Sequence, residues 1–159
     1  MNFTHLDSDG RAQMVDTSQK PVTRRTAAAR SVVVLPENVL AELTHGDELR
    51  SAKGSVFQTA ILAGIIAAKK TGDLIPLCHP LGLDNCQIEI HFDEKQQVVI
   101  DCTAIVTAKT GVEMEALVGA SIAALTVYDM CKALSHDIVI QETKLMAKTG
   151  GKRDFHRAS

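Results

Sequence analysis

Tryptophan is absent from this 159-residue chain, tyrosine occurs once, and aromatic residues together make up 3%. Proteins that hold single-stranded nucleic acid stack its bases on aromatic side chains, and few are available here. A surplus of positive charge is also missing. The formal net charge is −2 and no long basic run occurs, which argues against a DNA or RNA partner. The longest apolar run, near residues 60–68, is far too short to span a bilayer. The opening MNFTHLDSDG has no cationic start followed by an apolar stretch, so no secretory leader is expected. None of the four cysteines (Cys78, Cys86, Cys102 and Cys131) belongs to a CxxC pair. Without a secretion signal they read as free thiols of a cytoplasmic protein.

What is present is a globular composition, 45% apolar and 23% charged. It predicts one domain over residues 1–159, with a core of Ala, Val, Ile and Leu. Residues 1–30 read as a polar N-terminal arm, in which AQMVDTS could form a short edge strand and TRRTAAAR a basic arm or helical turn. SVVVL (31–35) reads as a buried strand. Pro36 suits the first turn of a helix closed by Gly46, and GDELRSAKG reads as a polar loop. Residues 55–72 predict a strong helix with Ser55 as N-cap and Gly72 as its stop, apolar nearly all round. Residues 86–92 and 97–108 predict a hairpin, 112–135 a second long apolar helix and 137–147 a last strand. Residues 148–159 read as a flexible glycine- and lysine-rich tail. The order is βαββαβ, which predicts an α+β, ferredoxin-like fold, an antiparallel sheet with both helices on one face. So small a sheet cannot cover two such helices on every side, so subunits are expected to bury the remainder.

Three features carry candidate chemistry. GDLIPLCHPLGLDN (72–85) sets Cys78 beside His79 between two prolines. A nucleophile–base dyad fits poorly, because neighbours in extended chain point to opposite sides. Zinc fits poorly for want of a second ligand pair. Cys78 reads as a packed small hydrophobe and His79 as a ligand contact. The triplet KTG occurs at 70–72, 109–111 and 148–150. At Lys70 and Lys109 element termination by glycine is the simpler reading. At Lys148 a second lysine, Lys152, follows in a glycine loop that suits phosphate oxygens. On the second long helix Glu115, Thr126 and Asp129 share one sector, and Lys132 stands at i+3 from Asp129. The choice there lies between a solvated ion pair and an acid–base pair whose pKa values move toward neutrality in an apolar cleft. Topology is expected to gather the Cys78–His79 loop, the lysine tail and the Asp129–Lys132 pair at one sheet edge. Glu115 lies fourteen residues from Asp129, about 21 Å along a helix, so a site using both would lie between subunits.

THLDSDGRAQMVDTSQKPVTRR, KGSVFQTAILAGIIAAKKTGDLIPLCHPL, AKTGVEMEALVGASIAALTVYDMCKA and AKTGGK together closely resemble the MoaC family, molybdenum cofactor biosynthesis protein C. The resemblance spans nearly the whole chain. It implies ferredoxin-like homo-hexamers, trimers of dimers, with sites at the dimer interface. It implies conversion of 3′,8-cyclo-7,8-dihydroguanosine triphosphate to cyclic pyranopterin monophosphate with release of diphosphate. It further implies that Asp129 and Lys132 are catalytic. Leu77, Cys78, His79, Met114, Glu115, Lys53, Lys148 and Arg25 would contact substrate. No resident metal is implied, and Mg²⁺ is compatible with the triphosphate. GGKRDF departs from the family in a shorter tail loop, next to Lys152. A nucleotide-sensing module without catalysis and a purely structural oligomerisation domain are the competing readings.

Overall fold

A computed structural model describes residues 5–158. Residues 1–4, part of the expected arm, and residue 159, the end of the expected tail, lie outside the described residues.

The elements follow in order as β1 (Thr23–Val34), α1 (Glu37–Leu43), β2 (Thr44–His45), β3 (Glu48–Ser51), β4 (Gly54–Ser55), α2 (Val56–Lys69), α3 (Thr71–Leu74), β5 (Asn85–Phe92), β6 (Val98–Ala108), α4 (Glu113–Cys131), β7 (Val139–Thr149) and β8 (Phe155–His156). The main sheet runs β5-β6-β1-β7-β8, and every neighbouring pair is antiparallel. β5 and β6 form the expected hairpin, with Gln96 at φ 59° in its turn. Leaving β8 aside, the order is that of a ferredoxin-like βαββαβ sheet. α4 packs on β1, β6 and β7, and α2 packs on α4 and β5, so both long helices cover one face.

Several local expectations are corrected. TRRTAAAR is neither arm nor helical turn but the first two-thirds of β1, so the arm ends at residue 22. Pairing with β6 over eleven residues outweighs the helix propensity of three alanines. AQMVDTS forms no strand and makes only an isolated Leu6–Ala12 bridge. The helix expected to run to Gly46 ends at Leu43, and Thr44–His45 form β2, which joins β3 and β4 from the expected GDELRSAKG loop in a small three-stranded meander. Its hairpin turns at Gly46–Asp47, with Gly46 at φ 63°, a position glycine occupies without a Cβ clash. α2 stops at Lys69 before a further turn, α3, so Gly72 lies inside that turn instead of ending the helix. The tail is not free either. β7 extends to Thr149, and β8 returns to pair Phe155 with Lys148 and His156 with Ala147.

Ser55 caps α2 by accepting from the Gln58 amide at 3.2 Å. Small residues then let α2 and α4 approach closely. Ala60, Gly64, Ala67 and Ala68 face a run including Ala116, Gly119, Ala120 and Ala123, all buried. A Cβ added at Gly64 would lie 2.7 Å from the Gly119 carbonyl oxygen and collide with Ile88. The core is largely aliphatic, with a tilted ring pair, Phe57 and Phe92, at 5.5 Å between centroids and Tyr128 packed against it. By length and hydropathy the 19-residue α4 could cross a bilayer, a candidate the sequence reading passed over, but half of its apolar window is buried in the core. The helices are not covered on every side by this chain. Leu62 (63% exposed), Ile66 (52%) and Leu125 (53%) face outward.

Candidate active site

A cavity of about 500 Å³ opens where α4 begins. The turn after α3 brings Leu77, Cys78 and His79 to its wall. Met114 and Glu115 enter from the first turn of α4, and Lys148 from β7. Gly72 lets that loop fold back, since its Cβ position lies only 3.0 Å from the Pro80 Cα. Acidic residues suit the positive end of the helix macrodipole. Glu113 is paired to Lys148 at 2.8 Å. Burial works upward on its carboxyl, but the Lys148 hydrogen bond, helped by the charges of Lys148 and Arg25, outweighs it and holds the pKa below the usual range. Glu115 is only 3% exposed. Burial pushes its pKa up, and the neighbouring Glu113 charge adds to the shift. His79 donates from Nε2 to the Val15 carbonyl at 2.8 Å and so fixes its ring against the arm. Cys78 is half-buried, and its thiol is raised first by burial and then by the Glu115 charge. A thiol so shifted is a poor nucleophile.

A second cavity of about 210 Å³ adjoins the first through Glu113 and Lys148. Arg25, Gly151 and Lys152 line it. The Arg25 Nε donates to the Ala108 carbonyl at 3.2 Å, which leaves the rest of the guanidinium toward the cavity mouth. Three cations (Arg25, Lys148 and Lys152) thus stand around one opening, an arrangement that suits phosphate oxygens.

Asp129 and Lys132 lie elsewhere. α2 and α4 run antiparallel, so the loop after α2 meets the start of α4, while the residues before α2 meet its end. Lys132 Nζ is 2.7 Å from Asp129 Oδ1, and Lys53 Nζ is 3.5 Å from Asp129 Oδ2. Asp129 and Lys132 border an open groove along Ile122, Leu125 and Tyr128, and Lys53 reaches it only through Asp129. Asp129 is 54% exposed, so among the described residues no apolar cleft encloses it. Its pKa moves down, held by the Lys132 hydrogen bond and then by the charges of Lys132 and Lys53. Lys132 moves up, chiefly through its bond to Asp129. Both shifts run away from neutrality, which fits the solvated ion pair of the two alternatives the sequence left open.

The structure therefore gathers Leu77, Cys78, His79, Met114, Glu115 and Lys148 at one end of α4, with Arg25 adjoining. It gathers Asp129, Lys132 and Lys53 at the other end. The single sheet edge expected for Cys78, His79, Lys148, Lys152, Asp129 and Lys132 is corrected by the antiparallel helix pairing, while the expected separation of Glu115 from Asp129 stands. Two contributors escaped the sequence reading. Glu113 looked like an ordinary helix-start acid, and its ion pair with Lys148 spans 35 residues of sequence. Lys20 sits in the arm with no local signal, yet it lines the first cavity. Among the described residues no group of three His, Cys, Asp or Glu side chains could hold a metal ion.

Comparison with known proteins agrees with the motifs. The MoaC family model matches residues 14–151. A protein of Xanthomonas campestris pv. campestris (strain 8004) named cyclic pyranopterin monophosphate synthase is 55% identical over 156 residues, which is 98% of this chain and 94% of that protein. One of the same name from Brevibacillus brevis is 48% identical, covering 98% of this chain and 96% of its own length. Molybdenum cofactor biosynthesis protein 1 of Dictyostelium discoideum is 48% identical over 94% of this chain, a match that covers 26% of the longer protein. With similarity along nearly its whole length and the family's segments set around two lysine-bearing sites, the chain belongs to the MoaC family.

Proposed function

We propose that this chain is a cyclic pyranopterin monophosphate synthase, a lyase of molybdenum cofactor biosynthesis. It converts (8S)-3′,8-cyclo-7,8-dihydroguanosine 5′-triphosphate to cyclic pyranopterin monophosphate and diphosphate. The observation that carries this reading is the cavity at the start of α4, where a buried carboxyl, Glu115, stands near a paired lysine, Lys148, and a cationic annex.

In this reading Leu77, His79, Met114 and Glu115 hold the purine-derived ring, and Cys78 fills space. Lys148, Arg25 and Lys53 neutralise the triphosphate. Closing the cyclic phosphate has a substrate oxygen attack the α-phosphorus while the bond to the β-phosphate breaks, so negative charge builds on the departing diphosphate. Fixed cations stabilise that charge more than the ground state. Mg²⁺, if it takes part, rides on the phosphate oxygens. Rearranging the ring needs several proton transfers, which fall to Asp129 and Lys132.

These two groups stand about 21 Å from Glu115, fourteen residues along α4. One compact substrate reaches both only if two protomers share the site. A homo-hexamer built as a trimer of dimers, with the site at each dimer interface, meets that requirement, and the exposed Leu62, Ile66 and Leu125 supply apolar surface for such contacts. In this reading the protein acts in the cytoplasm. The test is to supply the cyclic triphosphate and follow diphosphate and the pterin product, with Mg²⁺ and with chelator. Nucleotide binding without diphosphate release would leave a sensor module, and no binding would leave a structural domain.

A further inference from the structure

Lys109 was legible in the sequence only as a lysine before a terminating glycine. In the structure it leaves the end of β6 and its Nζ donates to the Ser18 carbonyl at 2.8 Å. Ser18 belongs to a turn closed by the Lys20 amide donating to the Thr17 carbonyl at 3.0 Å. The Asp16 carboxylate caps the same turn by accepting from the Ser18 amide at 2.8 Å, and the Lys109 charge acts on that carboxylate as well. The last residue of the turn, Lys20, is half-buried, on the wall of the 500 Å³ cavity and on that of a further cavity with Arg25 and Lys152.

Little else ties this stretch down. Residues 14–22 pair with no strand, and Met14 and Val22 are 49% and 59% exposed. Residues 5–13 bond mainly among themselves, through Asp7 and the Leu6–Ala12 bridge. The side-chain bonds that join residues 5–22 to the body are His79 to Val15 and Lys109 to Ser18. Both are made to main-chain oxygens, so they set the path of the arm whatever its side chains are.

We propose that Lys109 is a positioning residue: by clamping the Thr17–Lys20 turn it holds Lys20 at the cavity mouth, where Lys20 meets a phosphate of the substrate. The proposal rests on the cyclic triphosphate reading given above. Lys109 itself lies outside the cavity wall and acts through the arm. Its removal lowers affinity and leaves the proton transfers at Asp129 and Lys132 untouched.

The experiment uses the full-length protein and two readouts. The first needs no substrate: the rate at which endoproteinase Asp-N cleaves ahead of Asp16, inside the clamped stretch. Lys109→Met is expected to cleave faster there, and Lys109→Arg, which keeps a donor, at close to the parent rate. The second is turnover. Lys109→Met should raise KM about ten-fold with kcat within about three-fold of parent, the size expected for one charge-assisted hydrogen bond. Lys109→Arg should restore most of the loss. In a double-mutant cycle with Lys20→Ala, the two effects should fall well short of additive, because one acts through the other. Unchanged cleavage in Lys109→Met, an unchanged KM, or full additivity with Lys20→Ala each overturns the proposal. A parent protein without turnover overturns the substrate reading instead, while the cleavage rates still report on the clamp.

Discussion

Asp129 and Lys132 make the clearest contrast between a charged pair that stabilises and one that reacts. Their bond is solvent-exposed, and exposed pairs contribute little to stability. On the proposed function their value lies in chemistry, so Asp129→Ala or Lys132→Ala should leave the melting temperature nearly unchanged while cutting kcat by about 10²- to 10⁴-fold. Lys148→Ala should instead weaken binding of a GTP analogue more visibly than it slows turnover. Steady-state kinetics beside analogue titration separates the two cases, and near-parent turnover in Asp129→Ala would remove its catalytic role. Cys78→Ala should keep measurable turnover, since burial raises the thiol pKa. Complete loss of activity in a folded Cys78→Ala protein would restore covalent catalysis as a candidate. Glu115 provides a pH test. Its folded pKa stands above the ordinary glutamate value of 4.5, so its contribution to stability is present below that value and lost as pH rises through the folded one. Glu115→Gln should therefore melt higher than parent at neutral pH, with the gap closing below 4.5. A gap that stays constant with pH would contradict this.

The α2–α4 pair owes its closeness to glycine. An alanine at Gly64 must push against the backbone oxygen of Gly119 and the Ile88 side chain, and neither is free to yield. Gly64→Ala should cost about 1–3 kcal/mol in denaturant unfolding, the usual penalty for overpacking. Gly82→Ala, whose added methyl meets nothing within 4 Å, should change stability by no more than about 0.5 kcal/mol. The long elements could be read from sequence because their signals are local: alternation over residues 86–92, a long and mostly apolar run in α4, and a capping serine before α2. The β2–β4 meander could not, because strands of two to four residues carry too little pattern. β1 was cut short for a different reason. Its start, TRRTAAAR, has helical composition, and only partners in β6 and β7, more than seventy residues away, make it extended.

For the molecule as a unit, the exposed apolar residues of α2 and α4 are the largest unmet demand. Leu62 and Ile66, one helical turn apart, present adjacent side chains to solvent. Light scattering at micromolar concentration should find a stable oligomer, a hexamer on the proposed arrangement. Ile66→Lys should shift it toward smaller species and reduce turnover in parallel. A monomeric parent would sink the shared site. So would an Ile66→Lys protein that dissociates yet keeps full activity.

The order of long strands and helices, and hence the ferredoxin-like sheet, follows from patterns a few residues long, and so does the family, because segments such as KTGVEMEAL carry the resemblance. The grouping of site residues does not. A helix apolar all round carries no mark of which end meets which loop, and α4 takes its neighbours from antiparallel packing with α2. That packing puts Glu115 in the core with a raised pKa and leaves Asp129 in solvent with a lowered one, although one helix and one sector hold both. Burial and charge environment are sums over residues distant in sequence. The protonation behaviour of each carboxyl, and the distance between the two halves of the site, therefore arose only when the chain folded.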